Sequence, residues 1–293
     1  MRYFLTFIFL CIGFLSKAED TTLFKFADSL FFAGDYRLAA IEYERVAYLT
    51  ESNIVKTEAL LKKVECYVWL NNFAHALRIL GRVSFYELPE ELVARVYYKS
   101  AIYAYLEGDF ANAESQLMQL HYHIEDKEIR QESLYLFVLV LNELRKWPEA
   151  KMKLLELISY SDFTEEQVTE FQEEVEEIYN KNRIPNLKSI EKAKKLSKFL
   201  PGAGQIYAGY FLEGIINAGF QVVFLGLTAY GIYAKYYVTA VAIGFTFFQK
   251  LHSGAIPRVE YLVNKKNYES ANIYNTRLKT FIMDINDKTI LKK

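Results

Sequence analysis

Near its N-terminus the chain reads Gly34-Asp35-Tyr36-Arg37-Leu38-Ala39, and this pattern returns three more times at intervals of 37 residues. Each copy has an aromatic residue followed three positions later by alanine. Apolar residues around these positions keep the same register with spacings of three and four, which is typical of helices. We therefore predict paired helices, with alanine where the two helices approach closely. The aromatic positions are Tyr36, Phe73, Phe110 and Trp147, and the alanine positions are Ala39, Ala76, Ala113 and Ala150.

The turn inside each copy carries the likeness to a known family. The sequence G-D-Y-x-x-A-x-x-x-Y from Gly34 and G-D-F-x-x-A from Gly108 resembles tetratricopeptide repeats. That family's repeats run about 34 residues, and Asn71 and Arg145 replace the turn glycine in copies two and four. We interpret residues 19–160 as four divergent tetratricopeptide-like repeats, with an unrelated helical-hairpin solenoid as the alternative. Repeats of either kind are expected to stack into a curved array with a concave surface.

The resemblance implies a partner-binding groove, because the first helix of each pair lines the concave surface in that family. The family's groove positions, carried through the register, give a stripe with many aromatic residues. Such a stripe suits a peptide or a partner's helix, and packing of these aromatics between successive repeats is the alternative. The predicted groove residues are Phe24, Asp28, Phe31, Leu61, Glu65, Val68, Trp69, Tyr98, Ile102, Tyr105, Tyr135, Leu139 and Asn142.

The first residues have the three parts of a secretory signal, so we expect residues 1–18 to be a signal peptide. Arg2 precedes an apolar run that extends to Leu15, and Ala18 completes a cleavage site with small residues. An uncleaved anchor is the alternative, and either would place the repeats outside the cytoplasm. After cleavage Cys66 would be the only cysteine, which excludes an intramolecular disulfide or a cysteine-based metal cage.

Charge divides the chain into an acidic part and a basic part. Residues 19–182 carry 17 Lys and Arg against 30 Asp and Glu, a balance of −13, whereas residues 183–293 carry 16 against 6, a balance of +10. The acidic part argues against nucleic acid as a ligand, because phosphate binding needs a basic face. The basic part suits anionic lipid headgroups.

Residues 161–185 are predicted to close the array with a capping helix and a linker. Thr164 and Gln167 have the spacing of a capping box, and seven Glu surround an apolar face. The acidic residues suggest a calcium site as the alternative, but no loop with alternating oxygen ligands follows. After the linker at 182–186, residues 189–200 predict a lysine-rich amphipathic helix on a membrane surface, with a solvated basic helix as the alternative.

Beyond this helix the chain is predicted to form a transmembrane helical hairpin. Phe211 to Ala234 holds one charged residue, Glu213, and is long enough to cross a bilayer. Tyr236 to Gln249 is shorter and uncharged, and tyrosines flank Lys235 between the two spans. A buried hairpin of a soluble protein is the alternative. We assign residues 186–258 to this membrane region and residues 259–293 to a C-terminal tail, predicted to be an interfacial helix.

A glycine-rich stretch, LPGAGQIYAGYFLEG, runs from Leu200 to Gly214 and leads into the hairpin. It resembles the P-G-x-G-Q-x-Y-x-G signature of small bacterial membrane modules that pair this motif with two hydrophobic helices. The stretch lacks the lysine, the hydroxyl and the preceding strand of nucleotide-binding loops. We therefore predict that it shapes the backbone where the chain meets the membrane. The predicted motif residues are Pro201, Gly202, Gly204, Gln205, Tyr207, Gly209, Glu213 and Gly214.

Together these patterns predict an all-α protein in which a tetratricopeptide-like helical-hairpin solenoid precedes a transmembrane helical hairpin. We expect a scaffold or adaptor of the bacterial envelope, anchored in the inner membrane, whose periplasmic repeats bind a protein or peptide. A lipid-handling or transport-associated module recruited by its repeats is the alternative. Exported repeats followed by two spans leave the basic flanks outside the cytoplasm, against the positive-inside tendency. No catalytic constellation can be assembled, since His121 and His123 face different sides of a helix; we predict no enzyme, metal or cofactor.

Overall fold

The computed structural model describes residues 24–161 and 163–290, with side chains up to residue 285. Every regular element in these ranges is helical and no strand occurs in them, which confirms the predicted all-α class. The predicted signal peptide, residues 1–18, lies outside the described residues. The chain divides into two compact units: the first comprises the residues up to Glu177 together with those from Asn286 onward, and the second comprises Ile178–Ile285.

The first unit is a repeat-like array in which helices adjacent in sequence pack against each other. Helix α1 covers residues 24–32, and three residues separate it from the next helix. The helices that follow are α2 Tyr36–Leu49, α3 Asn53–Trp69, α4 Phe73–Leu80, α5 Glu90–Glu107, α6 Phe110–His123, α7 Lys127–Glu143, α8 Trp147–Tyr160 and α9 Glu165–Ile178. The predicted capping box begins α9, because the Gln167 amide donates to Thr164 Oγ1 and the Thr164 amide to Gln167 Oε1.

The same turn closes all four helix pairs. Gly34 and Gly108 have φ of 84° and 83°, and Asn71 and Arg145 hold the same left-handed conformation with φ of 53° and 60°. In each turn this residue's amide donates to the carbonyl three residues earlier, and the next amide donates to the carbonyl five residues earlier. These bonds satisfy carbonyls at the end of the first helix. The 37-residue register therefore holds even where glycine is replaced.

We expect Arg145→Gly to stabilise the repeats by about 1 kcal/mol, because a side chain in the left-handed region costs about that much and glycine does not. Arg145 is exposed, so its removal loses little packing. Gly108→Ala should destabilise by about 1 kcal/mol, since the added methyl meets nothing within 4 Å and only the backbone is strained. Urea unfolding followed by fluorescence of the two tryptophans, Trp69 and Trp147, measures both. Destabilisation by Arg145→Gly would contradict this account.

The alanine of each copy is fully buried, as the register predicts. Ala76 lies in a core cluster with Leu61 and Val64 of the preceding helix, α3. A methyl group at this position lets the helices of a pair approach closely, and a larger side chain would separate them. The four alanines, each 0% exposed, are Ala39, Ala76, Ala113 and Ala150.

His121, near the end of α6, is a partly buried histidine that contacts α7. Its Nε2 lies 2.8 Å from Ser133 Oγ, and because the Ser133 hydroxyl donates to the Arg130 carbonyl, the ring must donate. Its Nδ1 is buried without a hydrogen-bond partner. Burial, and then the nearby charges of Lys153 and Arg130, lower the pKa of His121 to about 4, against the opposing charge of Glu156.

The stability of the repeats should therefore fall as the pH drops from about 6.5 towards 4. Below its ordinary pKa of 6.5 the unfolded histidine binds a proton that the folded protein disfavours, so the loss grows until the folded pKa is reached. Between pH 7 and pH 5 we expect the free energy of unfolding to fall by about 2 kcal/mol. Tryptophan-monitored urea unfolding at both pH values measures this loss. His121→Gln should remove it and His123→Gln, at an exposed position of the same helix, should not; equal losses in both variants would contradict the assignment.

The second unit contains the helices that follow the repeats. They are α10 Ile190–Phe199, α11 Ala203–Ala208, α12 Phe211–Tyr233, α13 Tyr237–Thr239, a π-helical segment Ala240–Phe245 and α14 Thr246–Ile290. Two helical arms pack against each other where the transmembrane hairpin is predicted, and that the second arm crosses a membrane stays a prediction. Within the described ranges, α12 is the one helix long and apolar enough to cross a bilayer.

The C-terminal arm is longer than the sequence predicts. Residues 237–290 are helical throughout, so the expected end of the hairpin at residue 258 and the separate tail from residue 259 form one helix. Burial explains the continuation past Pro257, because α14 packs on the two short helices that precede α12. The buried residues of this cluster are Ala193 and Ala208 from α10 and α11, and Val259, Leu262 and Val263 from α14.

The boundary between the two units lies earlier in the chain than the linker predicted at residues 182–186. The Tyr274 hydroxyl of α14 donates to the carbonyl of Ile178 at 2.8 Å, and Tyr179 is buried. This hydrogen bond between positions distant in sequence attaches Ile178 to α14, which the local composition did not indicate.

Candidate functional site

The predicted motif forms the short helix α11 between two left-handed turns. Pro201 follows the end of α10, and Gly202 begins α11 with φ of 80°. Gly209 ends α11 with φ of 97°. Side chains avoid this region of backbone conformation, so both turn positions favour glycine. Helix α12 begins two residues later, at Phe211.

Two further glycines of the motif lie where helices touch. A Cβ added at Gly204 would clash with Ser197 Oγ and lie 2.5 Å from the Ala193 carbonyl oxygen, both on α10. A Cβ added at Gly214 of α12 would lie 2.6 Å from Ile206 Cγ1 on α11. Such distances are too short for real side chains, so glycine permits the contacts of α11 with α10 and with α12.

The turn at each end of α12 repeats the turn of the first unit. Each has a left-handed residue, the same two backbone hydrogen bonds, an aromatic residue two positions on and a buried small residue three positions after that. The residues in these roles are Gly209, Phe211 and Gly214 in the first turn, and Lys235, Tyr237 and Ala240 in the second. The residues of this turn pattern can be recognised in the sequence. However, these two turns do not follow the others at intervals of 37 residues, so the repeat register did not predict them.

The polar residues of the motif have different partners. Tyr207 Oη accepts a hydrogen bond from the amide of Ser189 at 3.1 Å, so this side chain satisfies a backbone group before α10. Gln205 is 2% exposed and its Oε1 has no hydrogen-bond partner, so this oxygen does not satisfy a backbone group. The Ser197 hydroxyl oxygen, beside Gly204, is likewise buried without a partner. The junction therefore holds two unsatisfied oxygens, which ordinarily cost stability.

The two arms of the hairpin pack with facing residues in antiparallel order. Small residues meet near the turn, where a Cβ added at Gly231 would lie 2.8 Å from Ala240 Cβ and one at Gly244 would lie 2.7 Å from the Thr228 backbone nitrogen. Close approach of this kind is typical of helices that associate in lipid. Counted from the turn, the facing pairs are Gly231 with Ala240, Thr228 with Gly244, Phe224 with Phe247, Gln221 with His252, and Glu213 with Arg258.

The half of the hairpin farther from its turn contains polar contacts. Gln221 Nε2 donates to Asn217 Oδ1 at 3.1 Å, and Gln221 Oε1 lies 3.2 Å from His252 Nδ1. Arg258 donates two hydrogen bonds, at 2.8 and 2.9 Å, to the Glu213 carboxylate. Glu213 and Gln221 of α12 therefore both contact the C-terminal arm.

The other faces of α12 present apolar side chains that the described chain does not cover. Only 11% of the most apolar window of the helix is buried. Soluble monomers rarely expose this many apolar side chains along one helix. The exposed residues are Phe211, Leu212, Ile215, Ile216, Phe220, Val222, Val223, Leu225, Leu227, Tyr230, Ile232 and Tyr233.

Most of the predicted groove residues lie between helices. Leu61 and Asn142 are 2% and 0% exposed, so neither lines a surface. Phe24 packs on Tyr43 and Tyr105 contacts Phe110. The positions packed against buried core clusters are Phe24, Phe31, Val68, Tyr98 and Ile102. The half-buried apolar and aromatic positions are Phe24, Phe31, Val68, Tyr98, Ile102, Tyr105, Tyr135 and Leu139. The alternative, that these residues pack within the array, describes these positions better than an open stripe does.

The two acidic groove residues join consecutive repeats. Asp28 accepts a hydrogen bond from Lys62 Nζ at 2.8 Å, and one repeat later Glu65 forms the corresponding ion pair with Lys99. All four side chains are partly exposed, so each pair contributes about 0–1 kcal/mol. Spacing alone did not show that these carboxylates already have partners.

An exposed group of aromatic side chains remains at the turns of the first two repeats. Trp69 stacks on Tyr36 with ring centroids 5.6 Å apart, and Phe31 contacts both Tyr36 and Phe32. Phe32 is 84% exposed and Trp69 is 61% exposed. We call these four residues the aromatic cluster. It contains two of the predicted groove residues, Phe31 and Trp69.

Comparisons with protein-family models, with curated proteins and with solved structures find no match to this chain. In residues 24–161 and 163–290, no group of three or more His, Cys, Asp or Glu side chains is arranged to hold a metal ion. The functional conclusion therefore depends on the geometry of the two units.

Proposed function

We propose that this protein is a membrane-anchored scaffold or adaptor of the bacterial cell envelope. Its tetratricopeptide-like repeats bind a protein or peptide partner, and its hairpin holds them at the membrane. The observation that carries the proposal is the uncovered apolar surface of α12. Such an apolar surface is stable in lipid because its side chains are removed from water there. A helix also suits this environment, since its backbone hydrogen bonds are made within the helix.

The ends of the hairpin support membrane anchoring. Tyr230, Tyr233, Tyr236 and Tyr237 are all exposed around the turn at Lys235, where tyrosine suits the boundary between lipid and water. Twenty-three residues of helix span about 35 Å, which exceeds the hydrocarbon core of about 30 Å. The small residues between the two arms give the closely packed contact that helix pairs use in lipid.

The aromatic cluster supports partner binding. Exposed tryptophan and aromatic rings are enriched where protein partners bury surface and gain most of their binding energy. The acidic balance of the repeats favours a partner with apolar anchors and basic flanking residues. The ion pairs and packed aromatics between repeats hold this surface on a rigid array.

Site-specific photo-crosslinking in cells tests the scaffold proposal. A photo-reactive residue at Trp69 or Phe32 is expected to give a discrete protein adduct. The same residue at Tyr48 and Tyr122, which are also exposed aromatics of the repeats, should not. Equal adducts at all four positions, or none at any, would reject the aromatic cluster as the docking surface.

Sidedness is tested separately by reporter fusions after Asn182, Lys235 and Lys293. We propose that the repeats lie in the periplasm, so the Asn182 fusion should be active only with an extracytoplasmic reporter. If the hairpin crosses the membrane twice, the reporter fused after Lys235 should be active only when it is a cytoplasmic reporter. A cytoplasmic signal at Asn182 would overturn both the signal-peptide assignment and the class of partner.

The second candidate function is a lipid-handling or transport-associated module that the repeats recruit. The contact chain His252, Gln221 and Asn217 favours it, because polar side chains inside a membrane hairpin are costly and are commonly functional. Movement of a fluorescent phospholipid between reconstituted vesicles measures this activity. Transfer that Gln221→Ala abolishes and Trp69→Ala preserves would favour this candidate over the scaffold, and absence of transfer in the unsubstituted protein would reject it.

A further inference from the structure

The segment that precedes α10 is held firmly against α11 and α14. The Lys188 amide donates to Asn267 Oδ1 at 2.8 Å, and Asn267 Nδ2 donates back to the Lys188 carbonyl at 2.9 Å. Lys188 Nζ donates to the Tyr207 carbonyl at 2.6 Å. Because the backbone and the ammonium group are both held, the position of this positive charge is set before any ligand arrives.

Two more lysines lie beside the same place. Lys192 Nζ is 5.3 Å from the centre of the Tyr207 ring, and Lys188 Nζ is 5.5 Å from it. Lys188 Nζ and Lys266 Cε lie 3.7 and 4.0 Å from the point that a Cβ on Gly209 would occupy. We call Lys188, Lys192 and Lys266 the lysine cluster. It brings α10, α11 and α14 together at the exposed backbone of Gly209.

The charges of the lysine cluster are not paired within the described chain. None of its members forms an ion pair there, although the neighbouring Lys194 does so with Glu260 at 2.8 Å. Lys188 is partly buried, and a desolvated ammonium group gains from a nearby anion. The three lysines thus concentrate positive charge near Tyr207 and Gly209, and such a concentration of ammonium groups suits a phosphate.

The position of the lysine cluster in the chain indicates the source of the phosphate. Gly209 lies two residues before Phe211, where the apolar helix α12 begins, so the cluster falls at the level of the headgroups if α12 crosses the bilayer. Exposed apolar side chains lie on the helices next to it in the chain, with Phe199 at the end of α10 88% exposed and Leu212 in the first turn of α12 75% exposed. Phosphate oxygens would meet the lysines while acyl chains cover these apolar residues.

We infer that the lysine cluster, beside the open position of Gly209, forms a binding site for the phosphate group of an anionic phospholipid. This inference rests on the proposed membrane anchoring and adds a ligand to it. The lipid would hold the base of the hairpin to α10 and α14 through one headgroup, rather than through general attraction to a charged surface.

Native mass spectrometry of the full chain in detergent, with phosphatidylglycerol or phosphatidylcholine added, tests the site. The unsubstituted protein is expected to retain phosphatidylglycerol preferentially. The double variant Lys192→Gln and Lys266→Gln should bind it about 30-fold more weakly. Neither side chain forms a hydrogen bond or ion pair within the described chain, so the variant should fold. The matched control is Lys195→Gln with Lys198→Gln, which removes the same charge from exposed positions of α10 and should change binding little.

Equal losses in the two double variants would show a general basic surface and overturn the site, as would an absence of preference for phosphatidylglycerol. Competition by inorganic phosphate distinguishes a lipid headgroup from free phosphate as the ligand. If phosphate alone binds as tightly through Lys192 and Lys266, the ligand is the free anion and the lipid assignment fails. Extraction of the full chain from membranes with alkaline carbonate is measured in parallel. Release of the protein from the membrane would reject the proposed anchoring. Retention in the membrane without a preference for phosphatidylglycerol would reject only this site.

Discussion

Gly204→Ala is expected to destabilise the second unit by about 3 kcal/mol, the upper range for a side chain forced into a filled space. The added methyl would collide with Ser197 and with the Ala193 carbonyl oxygen, so α10 and α11 must separate to admit it. A carbonyl of the backbone cannot rotate away as the end of a flexible side chain can. The result should be a large fall in the temperature at which the detergent-solubilised protein aggregates.

Gly219→Ala is the matched control for this experiment. Gly219 lies in α12, and a Cβ there would meet nothing within 4 Å. Because alanine favours a helix more than glycine does, this variant should be neutral or more stable by up to about 1 kcal/mol. Similar destabilisation by both substitutions would show that any methyl group added at a glycine disturbs this unit, and would contradict the close contact at Gly204.

Ala113→Leu is expected to destabilise the repeats by about 3 kcal/mol, because no space exists for three more carbon atoms where the helices of the pair approach. Ala113 is 0% exposed in α6, and Ala111, two positions earlier, is exposed. Ala111→Leu should therefore change stability by less than about 0.5 kcal/mol. Both tryptophans belong to the repeats, so urea unfolding of the full chain followed by their fluorescence reports this unit. Loss of the difference between the two variants would reject the 37-residue register.

The fold of the repeats could be predicted because its signals are local. A buried alanine and a left-handed turn recur at fixed offsets, and Asn71 and Arg145 fit the turn because asparagine tolerates this conformation and a single strained arginine costs little. The positions between helices were harder to assign. Whether Leu61 or Tyr98 faces a groove or a neighbouring repeat depends on how the helices rotate against each other, and spacing does not contain that angle.

The glycines in the sequence located the candidate site, but the contacts within the site could not be predicted. The motif gave the place of the turns, whereas the contacts of Gly204 with α10 and of Lys188 with Asn267 join positions that only the tertiary structure brings together. The length of α14 was missed for the same reason. Val259 and Leu262 look like part of a mixed tail in sequence, and their burial against α10 and α11 is what extends the helix.

The turn that both units share also bears on how quickly the chain reaches its structure. It occurs at six helix connections of the described chain, and each one needs only residues that are neighbours in sequence. Proteins with mainly local contacts fold in microseconds to milliseconds, because little chain entropy is lost before a contact forms. Each hairpin can therefore close soon after its second helix leaves the ribosome. The order of synthesis becomes the order of assembly, and the last long helix, α14, completes the packing of the segments made before it.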